Sequence, residues 1–450
     1  MNLQIGHSGT QKPAKRASRV ARTDRLTTLW LLTAALAGAL TILSRGILPQ
    51  PLWTMVHVVT LGVLTNGIFQ WSWYFCRALL RLPANDPRAG RDNTIRILCF
   101  NATFVLLIVS MWSGWVIGTI TGATLVGVIA AWHGLGLVLA ARSRLASRFA
   151  VVIRYYICAA AFLVLTCVFA GLTTVAMFSQ TAPTWLVGTR DTITLAHAIS
   201  GVGGWVGLTM GGTIITLGPT AIRTRIDPDA VRFSTAALPA WVVGLLTAIA
   251  AASFGQLRTM GAGLLLVAVS AGVGIVFPLA RTATRKGPSE YGAWSMCLGV
   301  AWILVGVLAV AAATMTQPDA TALRAANLSW LPVIGLGGLG QVFMGALVYL
   351  MPVVIGGGPS IVRQGVTTLE SWAPARETAR NLVVALLAMT TVTNHQRIQV
   401  ACWILLLATY IIDIALIAVS GVRQTKAARA ARSHNATTPT RSTTAGGTHD

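Results

Sequence analysis

Residues 117–140 read I-G-T-I-T-G-A-T-L-V-G-V-I-A-A-W-H-G-L-G-L-V-L-A, without one Asp, Glu, Lys or Arg. About 20 apolar residues suffice to carry a helix across a hydrocarbon core of roughly 30 Å, so this stretch reads as a membrane span. Its one ionisable side chain is His133.

Working outward, comparable stretches recur at 27–47, 52–76, 96–114, 151–178, 192–217, 234–254, 259–280, 293–314, 329–355, 379–393 and 399–421. The eleventh, apolar only from Asn381 to Val392, is the shortest. The composition agrees: 54% of the 450 residues are hydrophobic and only 10% charged, against roughly 25% charged in soluble domains. The fold class expected is therefore all-α, a polytopic integral membrane bundle of about 12 transmembrane helices. It is preceded by a basic tail (1–25) and followed by a tail (422–450) whose Ala, Thr, Arg and Ser composition predicts disorder.

The net charge of +22, from 34 Lys and Arg against 12 Asp and Glu, would suggest nucleic acid in a soluble chain. The positions of the basic residues give it another cause. With the N-terminus placed in the cytoplasm, 29 of them fall on the inner side, and only Arg45, Arg190, Arg258, Arg324 and Arg397 fall outside. That asymmetry is the positive-inside rule. It predicts a multi-pass protein of the plasma (inner) membrane with both termini cytoplasmic, in contact with lipid headgroups and not with DNA or RNA. Residues 12–25 resemble a signal-peptide start, but no small-residue cleavage site follows, so the first span reads as an uncleaved helix. The six cysteines lie in or beside spans with no C-x-x-C pair, which argues against a disulfide framework or a zinc site.

An ionisable group inside a bilayer is costly unless paired, ligated or wet, so such residues mark sites of chemistry. Within the spans these are His57, His133, His197 and Asp413. His57 and His197 each lie five residues into spans running inward from the outer side, so at 1.5 Å per residue they share one level and could meet. His133 lies about sixteen residues into its span, roughly 15 Å deeper, too far to ligate the same ion. Neutral imidazole is an ordinary ligand of iron or copper, which makes His57 and His197 the candidate metal ligands, with His133 a possible second site.

On a regular helix Ser200, Gly201, Gly204 and Gly211 project within about 60° of His197. They would leave a groove able to take a flat macrocycle. The same small residues equally suit close helix packing, as do the overlapping G-x-x-x-G pairs of Gly203, Gly207 and Gly211. Both readings stand at this point. Asp413 is a candidate proton relay or a structural hydrogen-bonding group. Gln341 is the polar group of the tenth span, near Met344 and Met351, which are soft potential copper ligands but more commonly packing residues. No Ser-His-Asp order, H-E-x-x-H or carboxylate pair points to hydrolysis.

Several segments carry a family resemblance: H-V-V-T-L-G-V-L-T-N-G-I (57–68), A-W-H (131–133), R-F-A-V-V-I-R-Y-Y (148–156), L-A-H-A (195–198) with G-W-V-G-L-T (204–209), and Q-V-F-M-G-A-L-V-Y-L-M-P (341–352) before G-G-G-P. As an ordered set they resemble actinobacterial membrane proteins that look like the membrane regions joined, in some proteins, to an extracytoplasmic multicopper oxidase or copper nitrite reductase domain. More distantly, histidines on the second and sixth of twelve helices are similar to heme-copper oxidase subunit I and to the NnrS-type proteins of nitric oxide metabolism. The resemblance implies heme b or copper held by His57 and His197, with His133 a candidate further ligand; the groove beside His197 would then set Gly201 and Gly204 against the cofactor. It implies a role in electron transfer, copper handling or nitrogen-oxide metabolism, with a separate extracytoplasmic copper protein as the partner it suggests. The tenth span carries Gln341 where an oxidase carries histidines. A secondary transporter without a metal is the alternative that twelve glycine-interrupted spans allow.

Overall fold

The computed structural model describes residues 47–437 except 84, 85, 143, 145, 146 and 394, together with the side chains of all of these but 396 and 432–437. The expected first span, 27–47, and the N-terminal tail therefore lie outside the described residues. Every described regular element is a helix. In chain order the principal ones are α1 (Pro51–Leu79), α2 (Arg91–Trp112), α3 (Val116–Ala141), α4 (Ala150–Phe178), α5 (Arg190–Ala221) and α6 (Ala230–Ser253). They are followed by α7 (Leu257–Arg285), α8 (Tyr291–Thr316), α9 (Ala320–Ile355), α10 (Pro359–Leu369), α11 (Ala373–Thr393) and α12 (Gln396–Thr437).

Ten of the described helices are long and apolar enough to cross a bilayer; the short α10 and the charged α11 are not among them. Large apolar side chains such as Leu98, Val109, Ile117, Val128, Leu135 and Val273 stay exposed on their outer faces. In water such a surface would aggregate, whereas hydrocarbon solvates it. The chain is a multi-pass membrane protein.

Without a hydrophobic force between helices in lipid, close packing has to hold the bundle, and small residues permit it. A methyl group at Gly244 of α6 would lie 2.8 Å from the Gly263 carbonyl oxygen of α7, and one at Gly263 would lie 2.7 Å from the Ala248 nitrogen. The α8–α9 seam is built the same way, by Gly292 facing Gly345 and by Gly299 facing Gly338. Backbone cannot yield as a flexible side chain does. Gly244→Ala or Gly263→Ala is therefore expected to lower stability by about 1–3 kcal/mol, the usual cost of overpacking. Thermal unfolding of the detergent-solubilised protein checks this, with Gly171→Ala, whose methyl would meet nothing within 4 Å, as the control that should not destabilise.

Polar pairs complete the seams. Asn66 of α1 and Asn101 of α2 exchange amide hydrogen bonds of 3.1 and 2.8 Å, and the Trp205 indole of α5 donates to Thr65 of α1 at 2.9 Å. At the far ends of α5 and α9, Asp191 pairs with Arg324 and accepts from the Thr321 hydroxyl at 2.6 Å. These bonds bring α1, α5 and α9 together.

Four helices are locally wound as π-helix: residues 58–65 in α1, 199–207 in α5, 272–276 in α7 and 333–340 in α9. Such turns bond five residues apart, and they concentrate at functional sites. In α1 the widened stretch starts directly after His57, and in α5 two residues after His197.

Several boundaries differ from expectation: α9 begins at Ala320 and not at 329, and α2 at Arg91 and not at 96. The eleventh helix begins at Ala373, earlier than residue 379, because Arg376 and Arg380, expected in a cytoplasmic loop, are buried partners of Asp413. The last helix runs on to Thr437 instead of ending near 421. Alanine-rich sequence favours helix, and the buried Gln424 anchors it by donating to the carbonyls of Pro352 (2.6 Å) and Gly356 (3.1 Å). Residues 438–450 lie outside the described residues.

Candidate functional site

His57 lies in the second turn of α1 and His197 in the second turn of α5, and the two rings do meet. Their centroids are 6.2 Å apart and their planes are inclined by 25°. The His57 ring is also stacked on Trp53 at 4.1 Å, so it is held flat against its own helix.

Each ring is pinned through the same atom. His57 Nδ1 lies 2.8 Å from the Trp53 carbonyl oxygen, and His197 Nδ1 lies 3.1 Å from the Thr166 carbonyl oxygen of α4. A carbonyl oxygen only accepts, so each Nδ1 carries the proton, and in the neutral ring Nε2 is left with its lone pair. This is how a backbone carbonyl orients a metal-ligating histidine and selects its tautomer. Ser200 reinforces the arrangement by donating to the His197 carbonyl (3.0 Å) and accepting from Thr166 (3.0 Å).

The pair suits a metal ion. With bonds of about 2.0–2.1 Å to imidazole nitrogen, two rings on opposite sides of one ion have centroids roughly 6 Å apart, and at a tetrahedral angle about 5 Å; the rings here stand at 6.2 Å, which suits the near-linear arrangement. No third His, Cys, Asp or Glu joins them among the described residues, where no group of three such side chains occurs. A two-imidazole set is too small for a structural zinc site, which takes four ligands.

A porphyrin fits less well. The glycine face of α5 is filled: a methyl at Gly201 would lie 3.2 Å from Thr166, one at Gly204 2.5 Å from Phe162, and one at Gly211 3.1 Å from Trp241. These glycines pack against α4 and α6. The free space lies on the other side, in an apolar cavity of about 110 Å³ between α1, α5, α9 and α12, bordered by Val56, Thr60, Val202, Leu339, Phe343 and Tyr410. Ligand pockets commonly measure about 300–1,000 Å³. A macrocycle would therefore require α1 and α9 to part.

His133 is elsewhere, as its depth suggested. It is fully buried with Phe69 (4.9 Å), Trp205 (6.1 Å) and Trp73 (6.3 Å) around its ring. The Ser72 hydroxyl gives its one proton to the Ile68 carbonyl at 2.6 Å, so in the 3.2 Å contact between Ser72 and His133, Nε2 is the donor. Nδ1, with no hydrogen-bond partner, is then the bare lone pair. Nearby, Arg96 is 1% exposed, held over Trp132 at 4.7 Å and Trp73 at 5.6 Å, with its amino group on Asn93 at 2.9 Å and no carboxylate within ion-pair distance among the described residues. The sequence reading placed Arg96 at the inner end of its span, where arginine normally snorkels. Its helical spacing from Asn93 was the available sign that it turns inward.

Asp413 stands in a second buried cluster, which the reading of single spans missed. Its Oδ1 accepts from Arg376 and its Oδ2 from Arg380 and from the Tyr291 hydroxyl. Arg380 also donates to the Tyr291 oxygen at 2.6 Å and lies over the Tyr410 ring at 4.3 Å. Both carboxylate oxygens are thus engaged by donors from α8 and α11, as in a structural clamp. The cluster continues outward: Asn381 donates to Glu377 (2.8 Å to its carbonyl, 3.2 Å to its carboxylate) and accepts from Trp302 (2.8 Å) and Gln341 (3.2 Å). Gln341 Oε1 is buried without a partner. Met344 and Met351 are buried among apolar neighbours as core residues. No protein-family model and no curated protein matches this chain.

Proposed function

We propose that the protein is a multi-pass membrane protein that holds one redox metal ion, copper in the first instance, between His57 and His197. The observation that carries this reading is the pairing itself: two imidazoles from separate helices, 6.2 Å apart, each with Nδ1 tied to a carbonyl oxygen and Nε2 left with its lone pair. Imidazole is a normal ligand of copper and iron. The bound ion would supply one-electron chemistry, for electron transfer, copper handling or nitrogen-oxide metabolism, in keeping with the resemblance to the membrane regions of multicopper oxidase and nitrite reductase fusions. The chain's own part is to fix both rings through the Trp53 and Thr166 carbonyls. With the basic residues assigned to the cytoplasm, the pair lies in the outer half of the membrane, within reach of an extracytoplasmic copper protein.

Heme iron would use the same two nitrogens but needs a wider gap between α1 and α9. The test separates the two. Protein purified from cells supplied with copper and heme is expected to retain about one copper per chain, read by elemental analysis, and a Soret band would assign heme iron instead. A preparation holding neither metal overturns the reading.

A second reading, a secondary transporter, rests on the π-wound, glycine-containing breaks in α1, α5, α7 and α9, which resemble the interrupted helices of alternating-access carriers. It predicts solute flux in liposomes that persists in a metal-free His57→Ala variant.

A further inference from the structure

Away from the histidines, α5 and α7 end side by side on the basic face of the bundle. The chain leaves α5 through Arg223, whose φ of +58° lies in the left-handed region that a bulky residue rarely adopts. The Lys286 ammonium donates to the Arg223 carbonyl at 3.1 Å and ties this turn to the end of α7. Between the two helix ends opens a cup of about 690 Å³ lined by Thr220, Arg223, Thr224, Arg225 and Arg285.

The charges in this region are not evenly matched. Arg223 reaches sideways to Glu290, and Arg285 pairs with Asp227 at 3.3 Å, an acid that Arg281 also holds at 3.4 Å. Arg225 is exposed and makes no ion pair among the described residues, and no carboxylate lines the cup. Thr220 donates to the Thr216 carbonyl, so its oxygen can only accept further bonds, and Thr224 also lines the cup. The lining thus carries three arginines, two of them partly engaged by Glu290 and Asp227 and the third, Arg225, uncommitted; a guanidinium fork grips phosphate oxygens in pairs. A basic pocket between helix ends on the cytoplasmic side, where sequence asymmetry places these residues, faces the leaflet that carries anionic lipid.

We propose that this cup is a phosphate-binding site that holds the headgroup of an anionic phospholipid, with Arg225 as its uncommitted cation. The full chain in detergent, titrated with phosphatidylglycerol and observed by native mass spectrometry, is expected to take up this lipid in preference to phosphatidylcholine. Arg225→Gln should weaken the uptake about fivefold, one basic residue's share of the attraction, and Arg225→Lys should restore most of it. Arg225→Gln/Arg285→Gln should abolish the preference, and because Arg281 still holds Asp227, an unchanged melting temperature will show that the variant is folded. Displacement of the lipid by millimolar inorganic phosphate overturns the lipid assignment in favour of the free ion, and retention supports it. Equal uptake by wild type and both glutamine variants overturns the site.

Discussion

His57→Ala and His197→Ala are each expected to lower copper affinity at least about 100-fold, and either one alone should suffice. With only two imidazoles in the set, losing one leaves a single ligand, and even the outer partners of a metal site are commonly worth 10–100-fold. Ser200→Ala, which removes the bonds to the His197 carbonyl and from Thr166 but neither imidazole, should cost less, within that outer-partner range. His133→Ala should leave affinity unchanged, because that ring packs against Phe69, Trp73 and Trp205 and not against the pair. Competition with a copper chelator measures all four. The ordering is the informative part: loss in His133→Ala equal to that in His57→Ala, or full retention in both His57→Ala and His197→Ala, would show that the ion is held elsewhere.

The depth of the histidines was legible because it depends on counting alone. Two helices entering from the same side with a histidine at the same offset must place both at one level, and bonds from α1 to α5 such as Trp205 to Thr65 supply the lateral approach. The surroundings of His197 were not legible in the same way. Projecting Gly201, Gly204 and Gly211 on a uniform 3.6-residue helix ignores the π-winding over 199–207, which turns through fewer degrees per residue and rotates everything beyond it. No property of a single helix announces what fills a glycine groove, and here Phe162 and Trp241, from α4 and α6, fill it.

The buried charges escaped for a different reason. Lys and Arg near a span end are ordinarily read as loop residues, so Arg376 and Arg380 were assigned to the basic face, and the eleventh span was shortened to its apolar half. Their acidic partner lies 33 or more positions away on α12, and only tertiary structure reveals such a pairing. The i, i+4 spacing of Arg376 and Arg380, with Glu377 and Asn381 repeating it one residue on, was the signal available: it places charged and polar side chains on one inward stripe of a helix.

Asp413→Ala should therefore be among the most destabilising single substitutions in the protein. Its carboxylate has 0% side-chain exposure and stands between Arg380, also at 0%, and Arg376, at 5%. Removing it leaves two guanidinium groups buried side by side without a counter-charge, and breaking a buried ion pair from one side costs about 3–5 kcal/mol. Asp413→Asn keeps the shape but not the charge, so it should recover little of that loss. Tyr291→Phe removes a single hydroxyl that accepts from Arg380 and donates to Asp413, and should cost less, about 1.5–3 kcal/mol, as expected for bonds to charged groups. Replacing Arg376, Arg380 and Asp413 together with apolar residues of similar volume should recover much of what Asp413→Ala loses, since a buried charge network is costly to desolvate and costlier still to leave half-complete. Unfolding of the solubilised protein, followed by loss of helical circular dichroism, ranks these variants. Were Asp413→Asn to unfold like wild type while altering proton-dependent flux, Asp413 would be a carrier of protons after all. Unfolding well before Tyr291→Phe would identify it as the bolt that fastens α11 to α12 and, through Tyr291, to α8.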